Sequence, residues 1–160
     1  MKYLFTRIIA SLFIMFFTSV NAQEVAIKPY QKGDWGQLTK SFAGQSVAIH
    51  FWGVTCAPCA KEMPQWGRFI SQNKNINVVF IQVDEVSPEM VKKMLSKAGL
   101  DKADNYNLTS PFDEYMRHEV DPKWRGETPI TILIDKSGKS ERKTGPINFV
   151  KLQHWFKSGA

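Results

Sequence analysis

An α/β fold, a central mixed β-sheet with helices on both faces, is predicted for these 160 residues by three observations. Apolar runs of strand length alternate first with amphipathic runs at helical spacing. Two strand segments flanking a Lys136-Ser137-Gly138 turn come late, and a final helical pattern closes the chain. The order β-α-β-α-α-β-β-α gives parallel neighbours through crossovers and one antiparallel pair through the hairpin. The length suits one domain with a real core.

The first stretch stands apart from that core. Lys2 and Arg7 make a basic start, residues 8–17 are almost wholly apolar, and Val20-Asn21-Ala22 offers the small residues a signal peptidase reads. Residues 1–22 are therefore predicted to be a secretory signal peptide and residues 23–160 the mature domain. The competing reading is an uncleaved membrane anchor. Against it, the apolar stretch is shorter than the roughly 20 residues that span a bilayer.

Within the domain, residues 23–33 read as a loose lead-in containing Pro29. Asp34 is placed to cap a short helix to Phe42, with Trp35, Leu38 and Phe42 on one face, broken by Ala43-Gly44-Gln45. Val47 to Trp52 is a buried strand. Pro58 to about Ser71 is a helix with Met63, Trp66 and Ile70 inward, and Pro64 is expected to kink it. Ile76 to Val83 is a second buried strand. Ser87-Pro88 starts a helix whose apolar stripe is Met90, Val91, Met94, Leu95 and Ala98, and Gly99 ends it. Leu100 to Thr109 reads as irregular. Ser110-Pro111 starts a short helix with Phe112, Tyr115 and Met116 inward, and residues 121–128 form a loop. Ile130 to Ile134 and Lys139 to Thr144 make the hairpin, and Ile147 to Lys157 is a closing helix with Phe149, Leu152 and Phe156 inward.

Charge excludes one class of function. The formal charge is +6, and two of those charges leave with the leader. The basic residues are scattered, which describes a solvated surface and not a nucleic-acid site.

The cysteines carry the chemistry. Cys56 and Cys59 are the only two, in Phe51-Trp52-Gly53-Val54-Thr55-Cys56-Ala57-Pro58-Cys59. In an exported protein a cysteine pair is usually a staple. A bridge across two residues removes little unfolded-state entropy, so a redox-active pair is the better reading. The strand-to-helix order puts Cys56 at a helix N-terminus, where free N–H groups and the helix dipole favour a thiolate. Thiolate is the species that attacks disulfides, so the motif points to thiol–disulfide exchange. A metal clip is the alternative. Zinc takes about four ligands, and the remaining candidates, His50, His118 and His154, are scattered along the chain. No metal and no other cofactor is expected.

Four features together resemble the exported TlpA/ResA-like thiol–disulfide oxidoreductases of the thioredoxin superfamily. They are Phe51-Trp52 leading into Cys56-Ala57-Pro58-Cys59, the Lys61-Glu62-Met63-Pro64 continuation, Thr128-Pro129 just before the late strand, and the Ile132 to Gly138 hairpin. The resemblance implies a thioredoxin-like fold from about Gly33 to Ala160. It implies Cys56 as nucleophile and Cys59 as the buried resolving thiol, with a cis bond at Pro129 that turns the Thr128 backbone towards Cys56. There an incoming substrate strand would pair with it. The chain also departs from the pattern. Thr55 stands where most relatives carry tryptophan, His50 where thioredoxin has a buried aspartate, and Ala57 where some relatives have an acid.

Other roles stay open at this level. His50 is either a proton relay for Cys59 or a packed strand histidine. Glu62, three residues past the pair, is a proton-transfer partner or a solvated helix charge. Glu127 tunes the pair or is a plain loop charge. Pro58 restricts the loop and resembles the reducing thioredoxin motif. Trp52 borders the site or belongs to the core, and Trp124 is the better surface contact. The expected activity is reduction of disulfides in oxidised substrate proteins in the periplasm, with a membrane thiol electron donor implied by the resemblance. The alternatives are a disulfide-forming oxidase and, on the same fold, a copper-binding chaperone.

Overall fold

The computed structural model describes residues 25–159. The signal-peptide prediction and its cut site lie outside the described residues. Among the described residues six strands form one sheet in the order β1-β4-β3-β2-β5-β6. They are β1 (Ile27–Tyr30), β2 (Val47–Trp52), β3 (Asn77–Gln82), β4 (Asp104–Leu108), β5 (Ile130–Ile134) and β6 (Ser140–Thr144). β1 to β4, β4 to β3 and β3 to β2 are parallel pairs; β2 to β5 and β5 to β6 are antiparallel. Among the described residues five helices cover the sheet: α1 (Trp35–Lys40), α2 (Ala57–Gln72), α3 (Pro88–Ala98), α4 (Glu114–Val120) and α5 (Phe149–Lys157).

Alternation along the strands builds two cores. Ala48 and Trp52 of β2, Val78 and Phe80 of β3, and Leu133 of β5 face a cluster with Met63, Trp66, Val91, Leu95 and Leu152, so α2, α3 and α5 share this side. Val47, Ile49, Phe51, Val79, Ile81, Ile130 and Ile132 face the other cluster, with Leu38 of α1, Met116 of α4 and Trp124. β2 is buried at all six positions because it is covered on both faces. α2 approaches α3 closely: a Cβ on Gly67 would lie 1.7 Å from the Ala98 carbonyl oxygen, so only glycine fits there.

The structure corrects the expected elements in five places. The lead-in contains β1, and the stretch expected to be irregular contains β4. Each strand was hidden by residues poor in strands, Pro29 in one and Asp104, Asn105 and Asn107 in the other. Pairing overrides the propensity. β1 is an edge strand, where a missing N–H is tolerated, and Asn105 is buried with its amide donating to the Leu100 carbonyl at 2.8 Å. α4 begins later than Ser110-Pro111, with the Asp113 carboxylate accepting from the Met116 N–H at 2.8 Å. Tyr115 is consequently 65% exposed, and on α3 Met90 in the first turn is 47% exposed. Asp34 sits at the start of α1, but its carboxylate accepts from the Gln31 N–H, in the turn before the helix.

Candidate functional site

Where β2 ends at Trp52, residues 53–55 carry the chain across to α2, and Cys56 is the N-cap. Its backbone is extended (φ −83°, ψ 106°), and its sulfur accepts the Cys59 N–H at 3.2 Å, one of the donors that a helix leaves free in its first turn. Pro58 lies in that turn, where a proline costs no hydrogen bond. Cys56 and Cys59 are joined by a disulfide, with their Cα atoms 5.2 Å apart. Cys56 is half-buried, Cys59 is fully buried, and Ala57 and Pro58 between them are exposed.

The opposite wall is the loop before β5. The Thr128–Pro129 bond is cis, and the Thr128 carbonyl oxygen lies 3.5 Å from the Cys56 sulfur. Trp124 braces this loop from within. It is 2% exposed, packs on Phe51 and Phe112, and donates its indole N–H to the Glu127 carbonyl at 2.9 Å. Trp124 is thus a core residue and not the surface contact the sequence suggested, because the indole N–H needs a partner and finds it inside the loop. The Glu127 carboxylate accepts the Arg125 N–H at 3.0 Å, so it serves its own turn. Trp52 is buried in the α2 core.

Beneath Cys59 the site is closed and polar. Glu62 follows Cys59 by three residues, so the two share one face of α2, and the carboxyl is turned inward with 1% exposure. Its Oε1 accepts the Ile147 N–H at 2.6 Å, from the segment leading into α5. Its Oε2 has no hydrogen-bond partner and faces His50 Nε2 at 3.9 Å. Burial pushes the Glu62 carboxyl up to about 7, with the Ile147 amide and the Trp66 indole pulling the other way. His50 is fully buried between the Trp66 and Phe80 rings, its Nδ1 3.0 Å from Thr131 Oγ1. Burial lowers its pKa to about 3, so the ring is neutral at pH 7.

The structure therefore brings Cys56, Pro58 and Thr128 to the rim of the site, buries Cys59 and Pro129 just inside it and seals His50 and Glu62 in the interior, while Glu127 is turned aside. His118 and His154 are exposed on separate helices. Among the described residues no group of three or more His, Cys, Asp or Glu side chains is arranged to hold a metal ion. One residue escaped the sequence reading. Asp84, just past β3, accepts both the N–H and the hydroxyl of Thr55, at 2.7 and 3.0 Å. The contact crosses the β2–β3 pair, so no local spacing announces it.

Comparison with known proteins agrees with this arrangement. The thioredoxin-like family model matches residues 44–140, and the chain belongs to that family. The sporulation thiol-disulfide oxidoreductase A of Bacillus subtilis is 28% identical over 114 residues, 70% of this chain and 67% of that protein. The thiol-disulfide oxidoreductase ResA of Bacillus cereus is 30% identical over 105 residues, 65% of this chain; the match spans 57% of ResA's own length. Among solved structures, StoA from Bacillus subtilis superposes with a TM-score of 0.53 at 22% identity, covering 71% of this chain and 83% of that one. A secreted Mycobacterium tuberculosis disulfide oxidoreductase gives 0.57 at 17%, covering 74% and 85%. At these identities the solved structures establish the fold.

Proposed function

We propose that this member of the thioredoxin-like family is an exported thiol–disulfide oxidoreductase that reduces disulfides in substrate proteins. The observation that carries the reading is the asymmetry of one cysteine pair. Cys56 is half-exposed at the N-cap of α2, and Cys59 is sealed one turn along. The relatives' activity and the four sequence features support the same chemistry.

In the reduced protein the Cys56 thiolate attacks one sulfur of the substrate disulfide. A Cys56–substrate disulfide forms and the other substrate sulfur leaves as a thiolate, which takes a proton from water. Cys59 then gives its proton to Glu62 and attacks the Cys56 sulfur. The Cys56–Cys59 bond forms, and the second substrate sulfur leaves and is protonated in turn. Two electrons pass from the protein to the substrate. A buried thiol resists ionisation, so the second attack needs a base, and a carboxyl near 7 is matched to that task. His50, held neutral, borders Glu62 as a polar neighbour and leaves the base role to it. The Thr128 carbonyl beside the cis bond offers a backbone acceptor to a substrate strand lying over Cys56.

Pro58 within the pair favours the reductase over the oxidase. The basic and apolar leader supports a periplasmic location, and a membrane thiol donor would restore the dithiol. Among the described residues no helix is long and apolar enough to cross a membrane. Two measurements test the proposal. Brief alkylation of the reduced protein followed by peptide mapping should label Cys56 before Cys59; the reverse order would overturn the roles. The potential of the pair should lie near −270 mV, and a value near −120 mV would make the protein an oxidase.

A further inference from the structure

Thr55 immediately precedes the proposed nucleophile, and it is held from outside its own loop. Asp84 Oδ2 accepts the Thr55 N–H at 2.7 Å and the Thr55 hydroxyl at 3.0 Å. The topology brings the two together. β2 and β3 run parallel with Trp52 opposite Gln82, and one more bond, Val83 N–H to the Trp52 carbonyl at 3.0 Å, carries the pairing past the end of β3. Asp84 then lies beside Gly53, and the fit is tight: a Cβ on Gly53 would sit 2.4 Å from Asp84 Oδ1. Gly53 is thus the space the carboxylate occupies. The Cys56 N–H bonds only weakly to the Gly53 carbonyl, at 3.4 Å, so the Thr55–Asp84 pair is the firmer anchor of this loop.

We infer that Asp84 is a positioning residue for Cys56, which fixes the Gly53–Cys56 loop through Thr55 and sets a negative charge against the thiolate. This deepens the proposed function and rests on Cys56 being the attacking sulfur. Two consequences are separable. The clamp orients the sulfur towards an incoming disulfide, and orientation governs the rate of attack. The carboxylate bonds the residue next to Cys56, and at 0.1 M salt charges are screened only beyond about 10 Å, so it opposes the thiolate that the helix end favours. The charge restrains Cys56, making it less acidic and the pair more reducing than the helix end alone would. Lys61, Glu85 and Glu127, the charged residues next along the chain from Cys59, Asp84 and Thr128, are exposed, and water weakens any hold they have on the sulfur. His50 and Glu62 lie below Cys59, on the buried side.

The experiment measures the pH profile of Cys56 alkylation by iodoacetamide, the rate of first attack on a disulfide peptide, and the equilibrium with glutathione, in reduced wild type and four variants. Asp84→Asn keeps an acceptor for Thr55 and removes the charge. Its profile should move down by about half a pH unit to one unit, and its disulfide should become roughly two- to fivefold easier to reduce. Thr55→Val keeps the charge and removes one bond; its midpoint should stay in place while first attack slows about threefold or more. Asp84→Ala should show both effects, and Gly53→Ala, which displaces the carboxylate, should follow it. An Asp84→Asn profile superimposed on wild type removes the electrostatic part, and a Thr55→Val attack rate equal to wild type removes the positioning part. These two near-isosteric variants carry the test even where the alanine variants do not fold. Wild type itself reports on the parent proposal: labelling of Cys59 first defeats the Cys56 assignment, whereas normal wild type with unaltered variants defeats only the role of Asp84.

Discussion

Cys56 and Cys59 lie one helical turn apart in a single disulfide, yet their surroundings differ in kind. Cys56 is half-exposed and meets backbone groups, the Cys59 N–H and the Thr128 carbonyl, with a carboxylate one residue away on Thr55. Cys59 is fully buried in the same cluster as Trp66, one turn of α2 before Glu62, whose carboxyl faces His50. On the proposed mechanism the outer layer would hold an anion with dipoles that water can reach, and the inner layer would handle a proton where water is excluded; there Glu62 and His50 are shifted far from their ordinary values. Substitutions outside should alter attack and potential, and substitutions inside should alter resolution and the pH dependence of stability.

The strongest test of this division removes the inner sulfur. Cys59→Ala should leave first attack intact while turnover falls about a thousandfold or more, with substrate held on Cys56. Non-reducing mass spectrometry after mixing with a disulfide peptide would detect the adduct; unimpaired turnover would mean the two layers do not divide the reaction.

Glu62→Gln comes next. It keeps an acceptor for the Ile147 N–H but no base, so mixed-disulfide release should slow about a hundredfold. Stability should change in the opposite sense. The buried carboxyl keeps its proton to about 7, whereas in the unfolded chain it loses it near 4.5. As pH rises through that window the unfolded form alone sheds a proton, and wild-type stability drops by up to about 3 kcal/mol. The variant escapes that loss, so it should be the more stable protein above pH 7 and equal to wild type below about 4.5. Denaturant titrations at several pH values check this, and a variant less stable than wild type at pH 8 would contradict a protonated, desolvated carboxyl.

His50→Ala should slow release severalfold and spare first attack, measured by stopped flow across pH. The unfolded chain takes up a proton on this ring below 6.5 and the folded chain only near 3, so wild type loses stability as pH falls between them. The variant should lack that acid-side loss while paying for a cavity at every pH. Equal rates with wild type would make His50 a packing residue. The smallest effect is expected from reduction itself. The bridge closes a loop across three positions, so melts of the two redox forms should differ modestly, and unfolding on reduction would mark a structural disulfide.

These layers were unequally visible beforehand. The outer one follows from local sequence: an apolar strand, a CxxC at a helix start and a proline before a late strand lie close along the chain. In the inner layer Glu62 is half legible: a three-residue spacing on a helix puts it on the face of Cys59, but the amide that receives its carboxyl comes from Ile147, far along the chain. His50 stands out in the sequence but its charge state does not, because the burial that keeps the ring neutral comes from packing against residues distant in the chain, Trp66 and Phe80 among them. Asp84 and Trp124 act through contacts made by strand pairing and loop closure, which no short window of sequence contains. β1 and β4 were lost for a related reason: their polar residues and proline suit a strand only once neighbours have formed.

The Ile147 N–H that holds Glu62 comes from 85 residues further along. A chain emerging N-terminus first therefore presents both cysteines and the start of α2 long before this partner exists. Until the segment before α5 docks, Glu62 lacks that seat and can keep the hydration of an ordinary surface acid. The early chain can form its disulfide, but the tuned carboxyl is a property of the finished fold. On the proposed mechanism, the base that serves the second step is therefore completed only when the last part of the chain docks.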